Sequence, residues 1–168
     1  MISFLSDILP LKNVLYRLAL RITQSHEDAE DVVQDTMLRV WNKREEWSQI
    51  ENIEAFCMTT CRNLALDRIK RASFRDEILE DAHNAEIHGL ANPYDRIIQR
   101  DRISLVKELM NSLPEKQRTC MQLRDFEGRS YKEIAALLAL SEDQVKISIH
   151  RARQTIKQKF QNAEQHGL

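Results

Sequence analysis

The feature that most restricts the fold of this chain is a pair of helix-start signals in its last third. Ser130 stands three residues before Glu133, and Ser141 stands three residues before Gln144. In each pair the hydroxyl and the carboxylate or amide can satisfy free N–H groups in the first turn of a helix, the arrangement called a capping box. Two such starts so close together leave room for a short helix, a tight turn and a second helix. The stretch 129–160 is therefore predicted to be a helix-turn-helix.

The second of these helices carries its charge on one side. Its predicted apolar stripe consists of Val145, Ile149, Ala152 and Ile156, and that of the first helix of Ile134, Ala135 and Leu138. At 100° per residue the second stripe leaves an outward face formed by Asp143, Ile147, His150, Arg151 and Gln154. Residues 144–160 include five Lys or Arg and no acidic residue. A basic outward helix favours binding in a DNA major groove, and a merely solvated charged face is the alternative interpretation.

Composition predicts an all-α protein with an uneven distribution of charge. The 168 residues include only three Gly and three Pro, and helix-forming residues dominate. Residues 98–168 carry 13 Lys or Arg against 9 Asp or Glu, whereas residues 73–97 carry 2 against 6. Although the net charge of the whole chain is −1, its C-terminal part is therefore basic.

The hydrophobic pattern predicts two small helical domains. In residues 1–72 we expect helices over 11–23, from a cap at Ser25 to 43, and over 53–71 after a cap at Asn52. Residues 73–93 are predicted to be an acidic flexible linker, because periodicity fades there. In residues 94–163 we expect helices over 94–110 and 114–126, followed by the helix-turn-helix.

No catalytic or metal-binding set is evident, and no cofactor is predicted. Cys57 and Cys61 are four apart on a predicted helix, but no His lies nearby to complete a zinc site, so they are interpreted as small apolar residues rather than ligands. We find no Ser/His/Asp set and no Gly-rich phosphate loop, so the chain is not predicted to be an enzyme. No apolar run approaches the roughly 20 residues that span a bilayer, which favours a cytoplasmic protein that is not itself a membrane protein.

Two helices of the first domain suggest separate binding faces. The second helix carries Glu27, Asp31, Gln34 and Leu38 on one face, with Asp35 beside it and no Lys or Arg between residues 22 and 38. This pattern is typical either of a protein-docking face or of a solvated acidic face. The third helix combines Phe56, Thr59, Thr60, Arg62 and Asn63 with a basic end, a mixture that suits single-stranded DNA.

In this order the motifs resemble those of the extracytoplasmic-function sigma factors of bacterial RNA polymerase. HEDAEDVVQDTMLRVW is similar to the family's polymerase-binding segment, and NIEAFCMTTCRNLALDRIKR to its minus-ten segment. LPEKQRTCMQLRDFEGRSYKEIAALLALSEDQVKISIHRAR is similar to its minus-thirty-five segment. The resemblance implies a sigma region 2-like bundle and a region 4-like helix-turn-helix, with core RNA polymerase, promoter DNA and a probable anti-sigma factor as partners.

The resemblance also implies roles for individual residues. The residues implied to bind the clamp helices of the polymerase's largest catalytic subunits are Asp31, Gln34, Asp35 and Leu38. A flipped base of the melted non-template strand would be held by Phe56, Asn63 and loop 44–52, with Arg62, Arg68 and Lys70 near phosphates. In that loop Trp47 is either a stacking residue or an anchor of the loop.

For the minus-thirty-five element the implied phosphate contacts are Arg129, Tyr131, Lys132, Lys146 and Arg153. The implied base contacts are Gln144, Ile147, His150 and Arg151. Where the family commonly has a polar and then a basic residue, this chain has Ile147 and Ser148. An apolar Ile147 could contact a thymine methyl group, so the element recognised can differ from that of better-known members.

The sequence leaves one alternative function and one role of the linker open. A conventional helix-turn-helix regulator is the alternative function, but the sequence shows no ligand pocket or dimer seam for it. The linker, with Asp76, Glu77, Glu80 and Asp81, could act as an electrostatic mimic of RNA in the polymerase channels, or simply as a solvating spacer.

Overall fold

The fold is built from helices alone in the described part of the chain. The structure, a computed structural model, describes residues 1–80 and 102–166, with side chains for 1–75 and 102–166. Two short turns, Phe4–Ile8 and Leu9–Leu11, precede the first long helix. The α-helices are α1 (Lys12–Thr23), α2 (His26–Asn42), α3 (Ile53–Glu80), α4 (Arg102–Met110), α5 (Glu115–Met121), α6 (Tyr131–Leu138) and α7 (Glu142–Gln165). None of these described helices combines the length and the apolar character needed to cross a membrane.

The first domain is a bundle of α1, α2 and α3. The chain turns between α1 and α2 at Gln24, whose backbone is left-handed (φ 57°) and whose N–H donates to the carbonyl of Leu20. Ser25 then caps α2 by accepting from the N–H of Asp28, as predicted. Leu11 just before α1 is half-buried, and the apolar residues of α1 that face the bundle are buried: Val14, Leu15, Leu18, Ala19 and Ile22. Met37 beside the inner face of α2 is half-buried, and that face itself is likewise buried: Ala29, Val32, Val33, Thr36 and Val40.

The second domain consists of α4 to α7 and contains the helix-turn-helix. Both predicted capping boxes form, with each serine and its partner three residues on exchanging hydrogen bonds of 3.0–3.1 Å. Between α6 and α7 the chain passes through Ala139 in the left-handed region (φ 54°), which ends α6 abruptly. The predicted stripes of both helices are buried, and the predicted outward face of α7 is exposed.

Three segments differ from those expected. Helix α3 continues to Glu80 instead of ending at Arg71, because residues 72–80 contain no Gly or Pro that would stop it. Most of the predicted loop 44–52 is a 3-10 helix, Arg44–Gln49. The helix predicted from 114 begins at Glu115 and passes into a π-helical turn, Gln122–Phe126. The rest of the predicted linker, and residues 94–101 of the helix predicted over 94–110, lie outside the described residues.

The two domains share one core. Helix α1 lies against α5, and α3 lies against α6. As a result a continuous cluster of buried apolar residues runs from Leu15 and Cys61 in the first domain to Leu123 and Ile134 in the second. A smaller cluster around Met110 and Ile156 holds α4 and α7 together.

Candidate nucleic-acid interface

Helix α7 presents the residues predicted to contact base edges. Its buried stripe turns Gln144, Ile147, His150 and Arg151 towards solvent, and Ile147 is 49% exposed although it is apolar. Lys146 and Lys157 are also exposed on this helix. Hydrogen bonds between Ser141 and Gln144 fix the N-terminal turn of α7, the end that a helix-turn-helix directs at the bases.

Cations gather around the ring of Tyr131 at the start of α6. The Arg124 guanidinium lies 4.3 Å from the ring centre, and Lys146 Nζ lies 5.5 Å from it. Arg124 also donates to the carbonyl of Arg129 at 2.9 Å. Arg124 was not among the predicted contacts, and its signal in the sequence is its position five residues before the predicted phosphate contact Arg129. The ring of Tyr131 therefore brings two cations together, Arg124 and Lys146 of α7.

Two predicted phosphate contacts are paired with carboxylates in this structure. Arg153 forms an ion pair with Asp125, and Arg129 forms one with Glu54 of α3. In each case the hydrogen bond to the carboxylate raises the pKa of the guanidinium. The predicted phosphate contact Lys132, by contrast, is exposed. Phosphate binding by Arg129 thus requires that Glu54 be displaced.

Helix α3 places only some of the predicted minus-ten residues at the surface. Asn63 and Lys70 are exposed, and Phe56 is half-buried with Lys43 Nζ 6.0 Å from the centre of its ring. Arg62 is only 19% exposed at its side chain and lies 3.4 Å from a carboxylate oxygen of Glu115 in α5. The arrangement can hold a base near Phe56 and Asn63, with cations on either side.

Arg68 connects α3 to α2. Its guanidinium donates to Asp28 at 2.9 Å and to Asp31 at 2.8 Å. The predicted DNA contact Arg68 and the predicted polymerase contact Asp31 therefore form an ion pair with each other. Asp28 was not selected from the sequence, because a helical periodicity does not show which cation of another helix faces an acid.

The remaining predicted docking residues form an exposed surface on α2. Asp31, Gln34 and Asp35 are exposed, and Leu38 is 58% exposed. Trp41, three residues beyond Leu38 on the same face, is 44% exposed and meets Phe4 edge-on at 5.5 Å between ring centres. We define the docking face as Asp31, Gln34, Asp35, Leu38 and Trp41. Trp41 was not among the predicted contacts, and its signal in the sequence is its spacing of three residues from Leu38, which puts both on one face of a helix.

Trp47 is an anchor of the segment between α2 and α3. Its side chain is buried at 8% exposure, and its indole N–H donates to the carbonyl of Val40 at 3.0 Å. A buried indole has no free face on which a base could stack. The anchor interpretation is confirmed, and the segment that precedes Phe56 is held in place by Trp47.

The three cysteines are free and buried. Burial raises the pKa of the Cys57 thiol to about 11 and that of Cys61 to about 12. Cys61 donates from its sulfur to the carbonyl of Leu15 at 3.4 Å. Within residues 1–80 and 102–166 no group of His, Cys, Asp and Glu side chains could hold a metal ion.

Comparison with known proteins agrees with this arrangement. Residues 8–75 match the family model of sigma-70 region 2, and residues 103–156 match that of sigma-70 region 4. The ECF RNA polymerase sigma factor SigE of Mycolicibacterium smegmatis is 32% identical over 145 residues, which cover 85% of this chain and 56% of that protein. SigL of Mycobacterium tuberculosis is 30% identical over 145 residues, covering 86% of this chain and 81% of that protein.

A solved structure has the same fold. The sigma factor RpoE of Bartonella quintana, crystallised with the anti-sigma factor NepR, superimposes with a TM-score of 0.74 at 23% identity, over 94% of this chain and 96% of that one. The family models match the two helical domains in the order expected, and relatives named as ECF sigma factors match across both. The chain belongs to the extracytoplasmic-function family of RNA polymerase sigma factors, the proteins that direct the initiation of transcription.

Proposed function

We propose that this chain binds core RNA polymerase through the docking face and directs it to promoters through two DNA contacts. Helix α7 binds the duplex minus-thirty-five element, and α3 with residues 44–52 holds a base of the melted minus-ten element. The observation that carries the proposal is the outward face of α7, where cations and base-reading side chains are exposed together. We assign residues 1–72 to the binding of core polymerase and of the minus-ten element, residues 94–163 to the binding of the minus-thirty-five element, and residues 73–93 to the linker between them.

The docking face has the chemistry of a protein contact. Leu38 and Trp41 give it an exposed apolar centre, and Asp31 and Asp35 give it a negative edge. Such a surface complements a partner that offers apolar side chains flanked by Lys or Arg. The partner we assign to it is the clamp of the core polymerase.

The minus-ten contact uses groups that suit an unpaired base. Asn63 offers an amide for hydrogen bonding, Phe56 a half-buried aromatic ring, and Arg62, Arg68 and Lys70 positive charge for phosphates. For the minus-thirty-five contact, Arg129, Tyr131, Lys132, Lys146 and Arg153 bind the backbone, whereas Gln144, Ile147, His150 and Arg151 contact base edges.

Regulation in this proposal comes from a separate anti-sigma protein that acts on the chain in the cytoplasm. Supporting this, the solved relative from Bartonella quintana was crystallised with such a partner. Co-purification from the native cell is the direct test. Recovery of polymerase alone under every growth condition would count against a dedicated anti-sigma partner.

Reconstituted transcription tests the function as a whole. Core polymerase with this chain should start RNA at a defined promoter, whereas core polymerase alone should not. A conventional regulator would bind the same DNA but would leave core polymerase without a defined start site. Leu38→Asp should abolish core binding, and the matched change Ser48→Asp, at an exposed position outside the docking face, should not. Normal core binding by Leu38→Asp would show that the docking face is assigned wrongly.

Two variants of α7 separate base contacts from phosphate contacts. Arg151→Ala should change the preferred promoter sequence, since a bidentate base contact contributes about 1–3 kcal/mol of discrimination. Lys146→Ala should weaken binding on all sequences and reduce the salt slope by about one. Duplex binding measured on specific and random DNA at several salt concentrations distinguishes them. An equal loss on both DNAs for Arg151→Ala would exclude a role in base recognition.

A further inference from the structure

We infer that Ile147 contacts a pyrimidine methyl group in the minus-thirty-five duplex, so that at one position the chain prefers thymine or 5-methylcytosine to uracil or cytosine. The inference rests on the proposed function, which places α7 in the major groove. It goes further in naming the chemical group that is recognised. It also makes the affinity for a promoter with cytosine at that position depend on methylation of the DNA.

Ile147 is an apolar residue on the polar side of α7. It is 49% exposed, whereas Ile149, two residues further along the helix, is 1% exposed. Ile147 belongs to neither of the two apolar clusters, so packing within the described part of the chain does not account for it. Helix stability does not account for it either, because an exposed β-branched residue is a poorer helix former than Lys or Arg. Its side chain is therefore available for a contact outside the chain.

The place of Ile147 on α7 assigns that contact to DNA. A single exposed isoleucine is common on protein surfaces and by itself indicates no role. Ile147, however, lies one turn after Asp143 and one turn before His150 and Arg151, and all three of these residues are exposed. Residues in the N-terminal part of a recognition helix are the ones that contact base edges. Ile147 is the large apolar side chain among them.

Two neighbours of Ile147 are engaged within the chain. The amide oxygen of Gln144 accepts from the N–H of Ser141 at 3.0 Å, so the capping box occupies this oxygen. A bidentate contact between a glutamine and an adenine needs the amide oxygen as well as the amide nitrogen. Lys146 Nζ lies 5.5 Å from the centre of the Tyr131 ring, which holds this side chain beside α6. Base recognition in the first turns of α7 therefore depends more on Ile147 than on these two neighbours.

The bases of a duplex offer an apolar side chain one kind of partner in the major groove. This partner is the methyl group on C5 of thymine, because the other groups that distinguish the bases there are hydrogen-bond donors and acceptors. Uracil has the hydrogen-bonding groups of thymine and lacks only the methyl group. Methylation of cytosine at C5 places a methyl group at the same ring position. Burial of one methyl group against Ile147 should increase the affinity about fourfold.

Single replacements of thymine by deoxyuridine test the contact. The preferred duplex is selected from a random pool with the full chain, and each of its thymines is then replaced in turn. At one position the replacement should lower the affinity of the wild type about fourfold, whereas Ile147→Gln should bind both duplexes equally. Ile147→Val keeps a branched apolar side chain and should retain part of the preference. The control Ile103→Gln makes the same change at an exposed isoleucine of α4 and should keep the full preference.

Cytosine in place of the sensitive thymine tests the dependence on methylation. Methylation of this cytosine at C5 should raise the affinity of the wild type about fourfold. The variant Ile147→Gln should bind the methylated and the unmethylated duplex equally. If the wild type also binds them equally, the dependence on methylation is wrong.

Two results would overturn the contact between Ile147 and a methyl group. One is that deoxyuridine has no effect at any position. The other is an effect of the same size in Ile147→Gln, since another side chain would then contact the methyl group. Circular dichroism checks that each variant folds, as expected for a residue outside both apolar clusters. If the chain recognises the methyl group but core polymerase still lacks a defined start site, the contact stands and the proposed function fails. A defined start site without any effect of the methyl group is the reverse result.

Discussion

Burial changes the chemistry of Cys61 more than that of any other thiol in the described structure. Its pKa is raised from about 9 to about 12 in the folded chain, mainly because burial disfavours the thiolate. The unfolded chain therefore loses this proton first as pH rises. The raised pKa of Cys61 therefore favours the folded state fully below pH 9, and this contribution to stability is lost between pH 9 and 12. Between pH 8 and pH 10.5 the denaturation midpoint should therefore fall less for Cys61→Ala than for the wild type. An equal fall in both proteins would show that Cys61 does not contribute to the pH dependence.

Replacing either tryptophan with alanine should affect a different property of the protein: stability for Trp47 and core polymerase binding for Trp41. Trp47→Ala removes a buried side chain and its hydrogen bond to Val40, so unfolding should become easier by about 3–5 kcal/mol. Trp41→Ala removes a half-exposed ring, so stability should change by less than about 1 kcal/mol while core affinity falls at least about tenfold. Urea unfolding and competition for core polymerase check the two effects. A Trp41→Ala variant with normal core affinity would remove Trp41 from the docking face.

At the level of helices, Ser141 and Ala139 have opposite effects on the stability of the turn between α6 and α7. Ser141→Ala removes the side-chain acceptor for the N–H of Gln144 and should cost about 1 kcal/mol. Ala139→Gly relieves a left-handed backbone at the preceding turn and should recover part of that loss. Thermal unfolding of the single and double variants measures both effects. A Ser141→Ala variant as stable as the wild type would mean that the capping box contributes nothing.

Local signals predicted most of these helices, and long-range contacts account for what they missed. The capping serines and the apolar stripes depend on residues three or four apart, so the sequence located α1, α2, α6 and α7 well. Helix α3 was predicted too short because fading periodicity was interpreted as the end of the helix, although nothing in residues 72–80 breaks one. The family resemblance implied that Arg129 and Arg62 lie near DNA phosphates. It could not show that Glu54 and Glu115, from distant helices, lie against them.

At the scale of the whole molecule, one shared core predicts one unfolding transition. Both tryptophans lie in the first domain, so fluorescence follows that domain, whereas far-ultraviolet circular dichroism follows all the helices. Because the apolar cluster and the Arg17–Glu127 pair join the domains, the two signals should give the same midpoint at low salt. In Arg17→Glu they should separate. Separate midpoints already in the wild type would show that the domains unfold independently.

The pairs that join the domains also affect how such proteins can be recombined. Arg17 and Glu127 are 110 residues apart, and Glu54 and Arg129 are 75 apart, so each pair has one member in each domain. A chimera that combines the first domain of this chain with the second domain of a relative keeps only one member of each pair. Unless the donor supplies an acid at position 127 and a base at position 129, the chimera will carry unmatched charges at the junction. Exchanging the promoter preference of this chain therefore requires the donor's residues at positions 17 and 54 as well as its recognition helix.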